Sequence, residues 1–343
     1  MSKKMFDFVI GNPPYQESRE TTKDMPVYNM FMDATYEIAT SVELITPARF
    51  LFNAGATSKT WNLKMLKDNH FKVLKYVADS SCVFPNNEIK GGVAVHYRNI
   101  NNYYEPIETF TAYSELNQIM NKVKKSKTYS SLNTIMYSPA NCKFTDLFIS
   151  TQKEEIRKLS KGNEKMLATN VFESLKDTTF LTTKPIDGKS YTQVIGRYNN
   201  ERVFRWIESQ YIEGDNISYW KVCLPKTSGT GKFGETLSMP LVLENNVGYT
   251  QSFFSIGKCT KEEANNILKY IKTKFARSLL GVLKVTQDCP PAKWKYVPLQ
   301  DFTSNSDIDW SKSIHEIDLQ LYKKYGLDDK ETEFIETHVK EME

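Results

Sequence analysis

The apolar run FDFVIG at residues 6–11 stops against Asn12-Pro13-Pro14-Tyr15. Two adjacent prolines fix φ twice and remove two backbone donors, so neither a helix nor a central strand continues through them. Asn12 precedes a proline and is therefore held in an extended conformation. The run has the length of a strand buried on both faces, and the prolines place a stiff kink at its C-terminal end. In open α/β sheets that end of the strands is where ligands bind.

Beyond this kink the chain alternates between helix and strand. Pro26 opens a stretch in which Tyr28, Phe31, Ala34, Thr35 and Ile38 fall at helical spacing. Val42–Ile45 reads as a strand ending at Pro47, 57–69 as a helix, and Phe71–Val77 as a strand. Glu88–Tyr97 reads as a further strand, with Val93, Val95 and Tyr97 alternating against Ala94, His96 and Arg98. This order predicts an α/β fold: a partial doubly wound, Rossmann-like sheet with an antiparallel hairpin at one edge. It occupies residues 1–110. The pattern then loosens at NKVKKSKTYS, and residues 111–300 read as an α+β domain of short strands rich in aromatics. Thr260 and Glu263 predict a capping box for a helix running to about Leu283. Residues 301–343 form a C-terminal helical tail, with helices over Ile314–Tyr325, stopped by Gly326, and from Asp328 to about Lys340.

The corner at residues 12–15 has a definite chemistry. The Asn12 side-chain oxygen and the Pro13 carbonyl are two acceptors, and Tyr15 adds a flat π face with a polar tip. Converging acceptors beside an aromatic plate suit an exocyclic amino group on a planar heterocycle. In adenine the N6 lone pair is delocalised into the ring. Hydrogen bonds from N6 to the two acceptors favour a pyramidal nitrogen that attacks an electrophilic methyl group in line. The base must first leave the duplex, and stacking on Tyr15 offsets part of that cost.

FDFVIGNPPY resembles the catalytic motif of the gamma-type N6-adenine DNA methyltransferases of restriction–modification systems. VELITPARFLF is similar to the next strand of their catalytic domain. SSCVFPNNEIKGGVAVHY is similar to the segment where some members set a second aromatic against the flipped base, which implies Phe84. WKYVPLQDFT…DIDW…IDLQLYKKYGL is similar to the tail of bacterial members. The resemblance implies S-adenosylmethionine as methyl donor, double-stranded DNA as partner, Asn12, Pro13, Pro14 and Tyr15 as catalytic residues, and residues 111–300 as the target-recognition domain.

In that family a Phe-x-Gly-x-Gly-like cofactor loop precedes the NPPY motif by many residues, whereas eleven residues precede Asn12 here. Downstream, the candidate loop is Ser228-Gly229-Thr230-Gly231, but Pro240 interrupts the helix such a loop should open. The cofactor-binding residues are thus unassigned. The expectation is the C-terminal part of a methyltransferase, whose first strand is an apolar edge completed by a partner chain carrying the cofactor-binding strands, or by self-association.

Charge bears on the DNA expectation. Residues 1–300 hold 40 Lys and Arg against 29 Asp and Glu, and residues 301–343 hold 5 against 12. A basic body with an acidic tail suits a phosphate-bearing partner. Lys90, Arg197, Tyr198, Arg202, Arg205, Lys226 and Lys232 are the candidate DNA contacts, with Phe204 and Trp206 either interleaved with them or in the core. Cysteines at 82, 142, 223, 259 and 289 and histidines at 70, 96, 315 and 338 form no CxxC or HxxxH pair, so no metal site is expected. No run approaches a membrane span and no secretory signal opens the chain, which makes the cytoplasm the expected compartment. Two other readings remain open: a non-catalytic DNA-binding specificity subunit or remnant, and a nuclease built on Asp79 with Glu88 and Lys90, although Ala78 stands where a proline is usual.

Overall fold

A computed structural model of the chain describes residues 4–17, 25–85, 89, 91–176 and 178–343. It divides into two compact units, Met1–Asn117 and Gln118–Glu343.

The first unit contains β1 (Phe6–Gly11), the two-residue strands β2 (Gln16–Glu17) and β3 (Met25–Pro26), α1 (Tyr28–Ile38) and β4 (Ala39–Pro47). A 3-10 turn (Arg49–Phe52), α2 (Lys59–Leu66), β5 (Phe71–Val77) and β6 (Val93–Asn99) come next, and the division falls within α3 (Ser114–Lys125). Four strands form one sheet in the order β1-β4-β6-β5. β1 and β4 run parallel, with Gly11 opposite Leu44, and β6 runs antiparallel to both its neighbours. The β5–β6 hairpin makes one edge with β6 on its inner side; β1 makes the other edge among the described strands.

One face of this sheet is covered. Val42 and Leu44 of β4 and Ala94 of β6 pack with Met32 and Tyr36 of α1 and Trp61 and Met65 of α2. His96 also faces this core. It is fully buried against Phe50 and Phe71, which holds its imidazole neutral with a pKa pushed down to about 3. The buried stripe of α1 is Tyr28, Met32 and Tyr36, at i, i+4 and i+8. Phe31 and Ile38, expected inward from their spacing, are exposed. Both phases satisfy helical periodicity, and the sheet selects the one with the larger tyrosines.

The opposite face is the unexpected one. Register places Phe8 beside Ser41, Ile10 beside Glu43, Glu43 beside Tyr97 and Ile45 beside Val95. Phe6, Phe8 and Ile10 are exposed at 47%, 50% and 72%, so β1 is not the doubly buried strand its composition suggests.

The second unit begins with β7 (Met136–Tyr137), β8 (Lys143–Phe144), α4 (Asp146–Thr151), α5 (Lys153–Ile156) and α6 (Val171–Ser174). Then come β9 (Tyr191–Tyr198), β10 (Glu201–Glu208), β11 (Ile212–Glu213), β12 (Trp220–Pro225), β13 (Leu241–Leu243), β14 (Val247–Tyr249) and β15 (Phe253–Cys259). Its larger sheets run β13-β12-β15-β7 and β10-β9-β14. A core of Phe144, Phe148, Phe172, Phe180, Val194 and Tyr249 packs with them, Phe144 and Phe148 being stacked at 4.1 Å.

Helices α7 (Lys261–Lys272), α8 (Lys274–Gly281), α9 (Ile314–Lys324) and α10 (Asp329–His338) complete the unit. The capping box at Thr260 and Glu263 is present, but the single long helix expected after it breaks at Thr273. Thr273 is extended and its hydroxyl accepts from Ala276 N. Buried Asp318 of α9 accepts from Lys274 N and Phe275 N, satisfying the freed donors at the start of α8. A long-range carboxylate thus caps the start of α8. The acidic tail is anchored too: Glu336 bonds Lys274 at 2.5 Å and Tyr322 at 2.8 Å, and Glu331 bonds Lys122 at 2.5 Å.

Candidate active site and DNA-contact surface

Asn12, Pro13, Pro14 and Tyr15 leave the C-terminal end of β1 and line a cavity of about 720 Å³. The volume lies within the roughly 300–1,000 Å³ usual for small-ligand pockets. Phe84, Tyr28 and Arg49 line it as well. Asn12 is exposed, and neither its side chain nor the Pro13 carbonyl makes a hydrogen bond among the described residues. The prolines explain this: the segment cannot enter a ladder, so its acceptors remain available.

Tyr15 lies deeper. Its carbonyl accepts from Val27 N at 3.2 Å, its hydroxyl is buried without a partner among the described residues, and burial pushes its pKa up to about 12. It is a neutral ring at any physiological pH. Phe84 meets it edge to face, with centroids 6.1 Å apart and planes at 79°. Sequence position alone separates these two rings by 69 residues; the fold brings them to one cavity.

Sequence reasoning passed over Arg49. It lies just past the C-terminal end of β4, which is parallel to β1, so both residues emerge at the same end of the sheet. Arg49 is the one charged side chain among the described residues lining the cavity. Nothing in VELITPARFLF marks it as other than a surface arginine.

In the second unit, Arg197, Arg202 and Lys226 converge on a separate cleft of about 1140 Å³. Arg197 and Arg202 are cross-strand partners in the β9–β10 hairpin, whose turn residues Asn199 and Asn200 both have positive φ. Asparagine tolerates that conformation, and Asn-Asn between two strand-like runs was the available signal for this turn. Arg202 donates to Met239 O at 2.8 Å and lies over the Phe253 ring. The Lys226 ammonium has no ion-pair partner among the described residues, and the Ser252 hydroxyl in the same cleft is buried and unpartnered. Asp288 is the one acid among the described lining residues.

Other candidates lie apart from this cleft. Arg205 stacks over Tyr198 at 5.3 Å on the other face of the hairpin. Phe204 is 37% exposed and Trp206 half-buried, so neither is a core residue. Lys232 is exposed and does not line the cleft. Lys90 lies outside the described residues, as does Glu88 of the nuclease reading. The third member of that reading, Asp79, caps the turn at Ser80–Cys82, accepting from Ser81 N at 3.0 Å. The helical cations Arg157 and Lys158 are paired with Glu154 and Glu155 of their own turn.

The glycine-bearing loop at 228–231 is already filled. Glu235 accepts from Thr230 N at 2.8 Å and Gly231 N at 2.7 Å, and from Lys284 Nζ at 2.6 Å. No helix opens from the loop among the described residues. The Thr230 and Gly231 donors therefore hold the protein's own carboxylate and are not available to a cofactor or a DNA phosphate. Burial alone would raise the Glu235 pKa; the Lys284 and backbone hydrogen bonds outweigh it and hold the group down to about 2. Because the folded pKa lies below the ordinary 4.5, the stabilisation is complete above about pH 4.5 and lost as the pH falls toward 2. Glu235→Gln is expected to cost about 3 kcal/mol, since it strands buried Lys284. Thermal unfolding measured against pH should show the wild-type acid limb flattened in the variant. An unchanged limb would mean the lock contributes nothing.

Residues 1–84 match the family model described as Eco57I restriction-modification methylase. A stretch of 93 residues is 30% identical to a protein of Mycoplasma pneumoniae (strain ATCC 29342 / M129 / Subtype 1) described as an uncharacterized adenine-specific methylase, covering 26% of this chain and 22% of that one. The match thus spans about a fifth of the relative's length. Among solved structures, the type IIG restriction endonuclease BpuSI is similar at a TM-score of 0.35 and 10% identity, over 92% of this chain and 48% of that chain. The type IIL restriction-modification enzyme MmeI, solved with DNA, is similar at 0.32 and 10%, over 97% and 56%.

Proposed function

We propose that this chain, whose residues 1–84 carry the restriction-modification methylase match, is the catalytic and DNA-recognition part of a site-specific DNA adenine-N6 methyltransferase. The observation that carries the reading is that Asn12 and Pro13, whose side-chain oxygen and carbonyl accept no hydrogen bond among the described residues, line a base-sized cavity together with Tyr15. An extruded adenine stacks on Tyr15, and its two N6 hydrogens are accepted by Asn12 and Pro13. The nitrogen lone pair is then free for the methyl carbon. S-adenosylmethionine, when bound, would supply an electrophilic methyl group; transfer to N6 would break its carbon–sulfur bond and release S-adenosylhomocysteine, with the N6 proton passing to solvent.

The residues that bind the donor are unassigned, and the edge of β1, unpaired among the described strands, suits a cofactor-binding half that adds its strands there. Recognition of the site falls to the second unit, where Arg197, Arg202 and Lys226 face one cleft. Replacing all three by glutamine is expected to flatten the dependence of log affinity on log salt by about one unit per lost phosphate contact. An unchanged salt slope would remove them from the interface.

The deciding experiment incubates the chain with DNA and labelled S-adenosylmethionine, alone and with the candidate cofactor-binding half, and looks for N6-methyladenine by mass spectrometry. Methylated adenine that disappears with Asn12→Ala supports the reading. DNA binding with no methylation in either arm favours the non-catalytic specificity module, for which the cleft in the second unit is sufficient.

A further inference from the structure

We infer that Arg49 is a positioning residue that grips a backbone phosphate of the extruded nucleotide at the mouth of the Tyr15 cavity. The inference rests on the proposed base-flipping reading of that cavity.

Arg49 opens the 3-10 turn after β4, at the same end of the sheet as Asn12 after the parallel strand β1. Its stem is unusually confined. A Cβ built on Gly91 would stand 2.5 Å from Arg49 Cγ, and one on Gly55 would stand 3.1 Å from Arg49 Cβ. Both glycines have positive φ, at +87° and +95°, so the backbone itself walls the arginine stem on two sides. The head is left outward: Arg49 is exposed, and among the described residues its guanidinium has no hydrogen bond and no ion pair.

A surface arginine normally spreads over rotamers or pairs with an acid. Here the rotamer freedom is already restricted and no acid lines the cavity among the described residues, so the group lacks only an oxyanion. A base that enters the cavity drags its own sugar and phosphates to the rim. Arginine binds phosphate through two parallel N–H···O bonds, which fixes orientation as well as distance. Held this way, the nucleotide's N6 is set against Asn12 and Pro13 instead of sliding in a pocket walled mostly by prolines and rings.

The test needs neither a recognition sequence nor a methyl donor. Binding of deoxyadenosine and of deoxyadenosine 3′,5′-bisphosphate is measured by ligand-observed NMR on the full chain, in wild type, Arg49→Gln, Arg49→Lys and Tyr15→Ala. The wild type is expected to prefer the bisphosphate by about tenfold, the size of a charge-assisted hydrogen-bond pair. Arg49→Gln should bind both alike, Arg49→Lys should keep part of the preference, and unfolding temperatures should coincide because the exposed head makes no hydrogen bond or ion pair among the described residues. A bisphosphate preference that survives Arg49→Gln overturns the inference and leaves the base pocket standing. Deoxyadenosine binding that is absent or indifferent to Tyr15→Ala sinks the pocket reading itself, and Arg49's role with it.

Discussion

Asn12→Ala, assayed with the cofactor-binding half present, is expected to lower methyl transfer to adenine by a factor of about 10²–10³ while leaving DNA affinity nearly unchanged. The reason lies in what each acceptor does. The N6 amino group has two hydrogens, and the corner has two acceptors. Alanine removes the side-chain acceptor and leaves the Pro13 carbonyl. One hydrogen bond still holds the amino group, but the nitrogen no longer has both hydrogens drawn to one side, and the lone pair returns to the ring. The loss therefore falls on the chemical step. The fold should not suffer, because Asn12 is exposed and makes no hydrogen bond among the described residues.

Two companion variants separate chemistry from base capture. Tyr15→Phe keeps the stacking face and removes a hydroxyl that has no partner among the described residues, so it should behave close to wild type. Tyr15→Ala removes the plate, worth about 1–3 kcal/mol of stacking, and should weaken capture of the extruded base before it affects the rate of the bound complex. Single-turnover methylation at saturating DNA distinguishes the two. If Asn12→Ala turns over at the wild-type rate, the corner is a structural kink and not a catalytic device.

The parts of this molecule that could be read from residues alone are those governed by local rules. The Asn12–Pro14 kink and the capping box at Thr260 arise from bonds a segment makes with itself, and the strand at Phe71–Val77 is legible from its run of strand-forming residues, although its ladder is made with β6. The parts that could not be read depend on distant partners. Helical periodicity admitted two stripes on α1, and only the packed sheet chose Tyr28, Met32 and Tyr36. In β6 the more apolar series, with Val95 and Tyr97, lies on the open face, while Ala94 and His96 face the core; burial of a neutral histidine inverted the expected alternation. The first amides of α8, just past the break after α7, are held by Asp318, more than forty positions away. The loop at 228–231 looks ligand-binding in sequence because glycines open a nest of donors, and nothing local says that Glu235 occupies it. Arg49 joined the site for the same kind of reason: its confinement comes from Gly55 and Gly91, and only parallel strand pairing sets it near Asn12.

The exposed strand β1 leads to the other large expected effect. Its outer backbone edge is unpaired among the described strands, and Phe6, Phe8 and Ile10 project from the face that α1 and α2 leave bare. Such an edge is a template for another strand, and natural sheets blunt it with charge, proline or a cover. Here it carries two phenylalanines and an isoleucine, with the Asn12–Tyr15 corner directly after them. A cofactor-binding half that docks a strand alongside β1 would pair the edge, bury these side chains and place the methyl donor at the same sheet end as Asn12. Burying a phenylalanine or isoleucine contributes about 1.5–3 kcal/mol, so losing two of them should weaken the association at least a hundredfold. Phe8→Lys with Ile10→Lys is accordingly expected to abolish assembly with that half, and methyl transfer with it, while raising the monomer fraction of the isolated chain. DNA binding should persist, because Arg197, Arg202 and Lys226 lie in the other unit. Light scattering on the mixed and separate chains measures the assembly directly. A double variant that still assembles as tightly as wild type would show that the partner docks elsewhere and that β1 is simply a tolerated apolar edge.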